Sequence, residues 1–212
     1  MTSNNMLIVV DYGMGNLRSV AKAFEYLGTP ARISDNPADI QAADRLVLPG
    51  VGAFADAMSA LKSRSLIDPI LSFIDSAKPF LGICLGLQLL FEISYEDGSH
   101  PGLAVWPGEC VRFDFTGQPD APTLKIPHMG WNEIQVRNDC PLLQGLPERP
   151  STYFVHSYYV LPQDKSLSAA LTEYGGFNFT SAAWKDNVMA TQFHPEKSQR
   201  VGLKMLQNFL KL

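Results

Sequence analysis

Cysteine is scarce in this chain: Cys84, Cys110 and Cys140 are the only three in 212 residues, and none share a CxxC spacing. So sparse and odd a set excludes a disulfide framework and a zinc site, and leaves at least one thiol free. Positive charge is not in excess either. The 17 Lys+Arg stand against 21 Asp+Glu, a formal net charge of -4, which lacks the broad footprint of a nucleic-acid binder. Long apolar runs are missing. The longest surrounds Leu81 to Phe91 and is interrupted by Gln88, short of the roughly 20 residues a membrane-spanning helix needs. Met1 to Asn5 put no basic region ahead of an apolar stretch, so no signal peptide is expected. No repeat, low-complexity tract or flexible linker interrupts the chain. The expectation is one domain over residues 1–212, soluble and cytoplasmic, with neither nucleic acid nor membrane as a partner.

What is present is ordinary globular composition, 46% hydrophobic and 18% charged, enough for a sizeable core. Met6 to Val10 is a short β-branched run that reads as a buried parallel strand. Gly13 to Gly15 turn the chain, and Asn16 is placed to cap a helix from Leu17 to Leu27. Ala31 to Ser34 and Arg45 to Leu48 read as strands, the second stopped by Pro49-Gly50. Helical spacing crosses Ala55 to Ala77, broken near Ser65 and kinked at Asp68-Pro69. Pro79 to Ile83 reads as a strand running into a helix through Phe91. This alternation predicts an α/β fold with a mostly parallel central sheet flanked by helices. After about Pro107 the texture changes. Short runs at Cys110–Phe115, Glu133–Val136, Tyr153–Val155, Tyr158–Leu161, Ser168–Thr172 and Ser181–Trp184 predict added strands, several antiparallel. Val188 to Phe193 makes a last strand, and Pro195 opens a C-terminal helix ending near Lys211.

The strongest local motif is Gly82-x-Cys84-x-Gly86 between a strand and a helix, a nucleophile elbow with Cys in place of Ser. The turn strains the central residue, and the glycines remove side chains that would clash. The thiol then stands at the carboxyl end of the sheet and at a helix N-terminus, which favours thiolate. The Leu85 N–H is aimed where an oxyanion would form. The alternative is a structural cysteine between two packing glycines. A thiolate needs a base and an orienter. His194 follows a strand, and Pro195 fixes the backbone so that Glu196 can turn back to the imidazole. The alternative is a strand-ending histidine followed by an acidic residue in a helix's first turn.

Pro49-Gly50-Val51-Gly52 follows a strand, so in a parallel sheet it lies on the same rim as Cys84. Its glycines permit close backbone approach, and the Val51 and Gly52 amides are candidates to complete an oxyanion hole with Leu85. Gly13-x-Gly15 fails as a dinucleotide fingerprint because Arg18 stands where the third glycine belongs. His128 and His156 have no partner at metal-ligand spacing, and His100 reads as a loop histidine. No metal and no cofactor is expected.

Gly82-Ile83-Cys84-Leu85-Gly86-Leu87-Gln88 together with His194-Pro195-Glu196 resembles the class I, triad-type glutamine amidotransferases, whose fold is flavodoxin-like. Tyr12-Gly13-Met14-Gly15-Asn16-Leu17, Pro49 to Phe54, His128-Met129-Gly130-Trp131-Asn132, Tyr153 to Tyr159 and Gln192 to Ser198 look together like the glutaminase subunits of imidazole glycerol phosphate synthase. These motifs run in order over nearly the whole chain. The weakest stretch is Tyr95 to Lys125.

The resemblance implies that Cys84 attacks the glutamine side-chain amide and forms a thioester as ammonia leaves. His194 would carry the proton, Glu196 would orient it, and water would release glutamate. Gly50, Gly52, Gln88, Glu96, His156, Ser157 and Tyr158 match positions that hold glutamine, Glu96 by its spacing of twelve residues from Cys84. Ammonia would pass to a cyclase subunit, a (β/α)8 barrel, in a heterodimer of histidine biosynthesis. Asn16, Met129, Trp131, Tyr153 and Lys197 fall in motifs near the docking face, where exposed Trp, Tyr and Met are typical anchors; for Trp131 the alternative is core packing. Glutaminases serving anthranilate or aminodeoxychorismate synthesis are the nearest rival, but they carry His where this chain has Leu87 and lack a matching His-Met-Gly-Trp-Asn. A γ-glutamyl peptidase on the same fold and a catalytically silent binding subunit are more distant ones.

Overall fold

Short apolar runs closed by turn residues become strands, and the amphipathic stretches between them become the helices that cover the sheet. The computed structural model describes residues 6–117 and 124–212. The stretch Met1–Asn5, on which the absence of a signal peptide rests, lies outside the described residues. The first half runs β1 (Leu7–Val10), α1 (Leu17–Tyr26), β2 (Ala31–Ser34), α2 (Pro37–Ala42), β3 (Arg45–Gly50), α3 (Phe54–Ser63), α4 (Ile67–Asp75), β4 (Phe80–Cys84) and α5 (Leu85–Gln88). Strands then dominate: β5 (Phe91–Ser94), β6 (His100–Pro101), β7 (Trp106–Arg112), β8 (His128–Glu133), β9 (Gln135–Val136), β10 (Ser151–His156), β11 (Tyr158–Pro162), β12 (Ser168–Tyr174), β13 (Phe177–Lys185) and β14 (Val188–Thr191). A 3-10 turn at Pro195–Lys197 leads into α6 (Gln199–Phe209).

The main sheet is ordered β2-β1-β3-β4-β14-β13-β11-β7-β5-β6. Its first five strands are parallel, and β13, β11 and β7 continue it antiparallel. The expected α/β fold with added antiparallel strands is the one observed. Alternation along β1 divides the core. Ile8 and Val10 face Ile40, Phe54, Leu61, Ile70 and Phe73 from α2, α3 and α4. Leu7 and Val9 face Phe24, Met205 and Phe209 from α1 and α6. Each large side chain buried this way contributes roughly 1.5–3 kcal/mol of transfer free energy. No helix among the described residues is long and apolar enough to cross a membrane.

Several local expectations are corrected. The Asn16 side chain makes no capping hydrogen bond. Pro49-Gly50 do not stop β3, which continues beside β4 with Gly50 in register with Cys84. The β1 ladder on its other side ends at Val47, so Pro49 sits where one flank is already open, a position proline tolerates. The helix expected through Phe91 is a single turn, because Phe91 joins β5 beside β7. Four residues make little macrodipole, so the elbow helix cannot be the main support of a thiolate. The short α2 was not expected. Its signal is Asn36-Pro37, where the Asn36 side chain accepts from the Ala38 N–H at 3.0 Å.

β8 and β10 form a separate antiparallel ribbon with His128 opposite His156 and Trp131 opposite Tyr153. The side-chain alternation gives it two faces. Met129 and Trp131 look outward; His128, Phe154 and His156 pack inward on Phe113 and Phe179.

Candidate active site

The carboxyl ends of β3 and β4 lie side by side, and Cys84 is the last residue of β4. Its backbone takes φ 56° and ψ -108°, a conformation that costs a non-glycine residue of order 1–3 kcal/mol and that surrounding structure must impose. The two elbow glycines make room for it. A Cβ on Gly82 would stand 2.8 Å from the Gly86 carbonyl oxygen, and one on Gly86 would strike the Leu48 carbonyl oxygen. The thiol is nearly buried, with its sulfur 3.9 Å from the Val155 carbonyl oxygen on β10.

His194 follows the end of β14 at Thr191 by three residues and is tied to the ribbon from both ends of its residue. Its N–H donates to the Tyr153 carbonyl at 2.9 Å. Ser198 Oγ donates to the His194 carbonyl at 2.7 Å and accepts from the Tyr153 N–H at 3.0 Å. The Nδ1 atom lies 2.8 Å from Glu196 Oε1, and both side chains are almost wholly shielded. Glu196 therefore fixes Nδ1 as the protonated nitrogen and leaves Nε2 for chemistry. Nε2 is buried with no close hydrogen-bond partner among the described residues. Burial alone would push His194 down, but the Cys84 sulfur and the Glu196 carboxylate outweigh it and hold the imidazole up, to about 10. That balance favours the imidazolium form of His194. An open Nε2 is ordinary for such a pair before substrate arrives.

A cleft of about 410 Å³ opens over the thiol. Val51, Gly52 and Leu85 line it, together with Gln88, Glu96, His156, Ser157 and Tyr158 and with Pro127 and Val155. Gly52 has φ +100°, where an L side chain would be strained. Gly50 is not among the lining residues. It closes β3 under the cleft, where a Cβ would strike the Tyr12 hydroxyl and come within 2.8 Å of Leu85 Cβ. Glu96 Oε2 accepts from the Phe54 N–H at the start of α3, at 2.6 Å. Burial nonetheless raises its pKa, against the Phe54 hydrogen bond that lowers it.

The His156 ring does not reach into the cleft with a free nitrogen. Nδ1 lies 2.8 Å from the Tyr158 carbonyl oxygen and Nε2 lies 3.0 Å from His128 Nδ1. Among the described residues no group of three or more His, Cys, Asp and Glu could hold a metal ion. Sequence reading missed Gln192, fully buried, whose Nε2 is 3.8 Å from the Cys84 sulfur. Its only signal was its place beside Phe193-His194. Cys110 and Cys140 are buried far up in pKa by desolvation, Cys140 to about 12, as inert core thiols are.

On the outer face of the ribbon Met129 is 65% and Trp131 49% exposed, which excludes core packing for Trp131. Trp131 meets the Tyr153 ring edge-on at 6.1 Å, and Lys197 Nζ stands 5.8 Å from the same ring. Asn16 is exposed as well.

Comparisons with known proteins identify the family. The family model described as glutamine amidotransferase class-I matches residues 8–212. The imidazole glycerol phosphate synthase subunit HisH of Syntrophotalea carbinolica is 56% identical over 204 residues, 96% of this chain and 98% of that protein. The protein of the same name from Thermosynechococcus vestitus is 51% identical over 97% of this chain and 96% of its own length. Among solved structures, that of PurLQS from Thermotoga maritima superposes with a TM-score of 0.74 over 97% of both chains at 19% identity, a likeness of fold.

Proposed function

The chain belongs to the class-I glutamine amidotransferase family, and on that premise we propose that it hydrolyses glutamine with Cys84, His194 and Glu196. It is the glutamine amidotransferase subunit of an imidazole glycerol phosphate synthase, in histidine biosynthesis. The observation that carries the catalytic part is the buried His194–Glu196 contact of 2.8 Å beside an elbow cysteine in the left-handed region.

In the proposed reaction the Cys84 thiolate attacks the side-chain carbonyl carbon of glutamine. The carbonyl electrons move to oxygen, and the Val51, Gly52 and Leu85 amides supply donors for that oxyanion. Collapse breaks the C–N bond, and imidazolium His194 gives its Nε2 proton to the departing nitrogen, which leaves as ammonia. A γ-glutamyl thioester remains on Cys84. His194, now neutral, takes a proton from water as the water attacks, and glutamate and the thiolate return. Glu196 holds the Nδ1 side of the ring and stabilises the imidazolium that donates in the first half and re-forms in the second. Gln88, Glu96, Ser157 and Tyr158 supply polar atoms around the cleft for the amino-acid end of glutamine, with Glu96 suited to its ammonium group.

The partner in this proposal is a (β/α)8 barrel cyclase, bound in a cytoplasmic heterodimer through Asn16, Met129, Trp131, Tyr153 and Lys197. Glutamate release by the purified chain, alone and with the cyclase plus its nucleotide ligand, tests the whole reading. The expected result is strong stimulation by the cyclase. Turnover indifferent to the cyclase would sever the partner from the chemistry.

A further inference from the structure

We propose that a hydrogen-bond chain from Asn132 through the buried His128 and His156 sets the orientation of Gln88 and Gln192, so that Gln88 turns its carbonyl oxygen to the cleft and Gln192 donates to the Cys84 sulfur. The inference deepens the proposed glutaminase reaction and rests on it for the role of the cleft.

Both ends of the chain dictate its polarity. At the outer end Asn132 Nδ2 lies 2.9 Å from the Glu173 carbonyl oxygen and 3.2 Å from His128 Nε2. A carbonyl only accepts, so the Asn132 nitrogen is assigned, and His128 Nε2 must be the acceptor. His128 then carries its proton on Nδ1 and donates across 3.0 Å to His156 Nε2. At the inner end His156 Nδ1 faces the Tyr158 carbonyl oxygen at 2.8 Å, which again can only accept. His156 must therefore carry its proton on Nδ1 and offer Nε2 as acceptor. The two derivations are independent and meet in one arrangement, two neutral rings each locked in one tautomer. Both are buried, at 4% and 5% exposure, and burial pushes both below the usual imidazole range. A proton added to either ring would set two donors face to face.

The same Tyr158 carbonyl accepts from Gln88 Nε2 at 3.1 Å. The second Gln88 amide hydrogen goes to Gln192 Oε1 at 3.2 Å. With its nitrogen fully used, Gln88 has its Oε1 left to accept from a ligand N–H in the cleft it lines. Gln192 is fixed in turn. Its oxygen faces Gln88, so its nitrogen faces the sulfur at 3.8 Å, where an N–H donor stabilises an anion. Without the His128 donor, His156 Nε2 is no longer held as the acceptor; a ring that moves its proton to Nε2 sets its Nδ1 lone pair against the Tyr158 carbonyl, the anchor on which Gln88 and, through it, Gln192 are oriented. His128 and His156 are positioning residues in this scheme, and Gln192 is the group that touches the nucleophile.

The test uses the heterodimer with the cyclase subunit and compares His128→Phe with His128→Asn. Phenylalanine keeps the ring shape and ends the chain. Asparagine places Nδ2 near the old Nδ1 and keeps the donor. His128→Phe should raise the KM for glutamine about tenfold, and slow alkylation of Cys84 by iodoacetamide several-fold, as expected for loss of about one hydrogen bond at each end. His128→Asn should return both to within about twofold of wild type. A folded His128→Phe protein with unchanged KM and alkylation would overturn the proposal, and so would equal damage in both variants. Should His128→Phe not fold, Asn132→Leu at the outer end takes its place: a raised KM for glutamine and slowed alkylation support the chain, and both unchanged sink it. If the wild-type heterodimer released no glutamate, the glutaminase reading would fall, and the alkylation rates alone would judge the chain.

Discussion

Cys84 holds φ 56° because Gly82 and Gly86 leave no side chain in the way. Gly86 has the least room of the two, since its Cβ would meet the backbone oxygen of Leu48, which cannot swing aside. Gly86→Ala should therefore lower stability by about 3 kcal/mol, an overpacking cost, read as a shift in the urea midpoint; a midpoint unchanged from wild type would contradict the elbow account. Glu196→Gln tests the orienter. The amide can present its NH2 to Nδ1 and reverse the tautomer, so glutamate release should fall by roughly 10²–10⁴-fold with the fold intact. A loss under threefold in steady-state assay would remove Glu196 from the triad. These residues were legible in the sequence because the elbow and His-Pro-Glu are local patterns. Gln192 was not, since a glutamine side chain points wherever its partners hold it, and those partners lie 108 and 104 residues away.

At the scale of elements, the parallel half was legible because buried strands read as continuous apolar runs. The length of the helix after Cys84 was misjudged. Leu87, Leu89, Leu90 and Phe91 are all fully buried, and apolar residues buried all round do not tell a helix from a strand by periodicity. The ribbon of β8 and β10 was partly legible, at Tyr153–Val155, but its two faces depend on pairing that no local pattern reveals. Those faces separate the exposed Met129 and Trp131 from the buried His128 and from His156 opposite it. Trp131→Ala should weaken the heterodimer about thirtyfold, the effect of losing one anchor worth roughly 2 kcal/mol. Titration calorimetry with the cyclase checks it, and a Kd within threefold of wild type would move the docking face elsewhere.

For the molecule as a whole, three buried histidines set opposite trends with pH. Burial holds His128 down to about 4 and His156 to about 3. Between roughly pH 4 and 6.5 the unfolded chain binds protons on these rings that the folded chain refuses. Stability is therefore full above about pH 6.5 and is lost as pH falls, by up to about 1.4 kcal/mol per pH unit for each ring. His194 is the reverse case: held up to about 10 by Cys84 and Glu196 against burial. Its contribution is full below about pH 6.5 and is lost as pH rises through 10. Urea unfolding across pH 4.5 to 9 should show an optimum near neutrality, flattened on the acid side in His128→Phe; an acid limb identical to wild type would contradict the neutral, buried pair.

The central claim is a covalent one, that glutamine is opened on Cys84. Acid-quenched intact mass spectrometry during turnover with the cyclase present reads it directly. A γ-glutamyl adduct that maps to Cys84, and is absent in Cys84→Ala, is the predicted result. Sustained glutamate release with no adduct on any residue, or turnover surviving in Cys84→Ala, would contradict it.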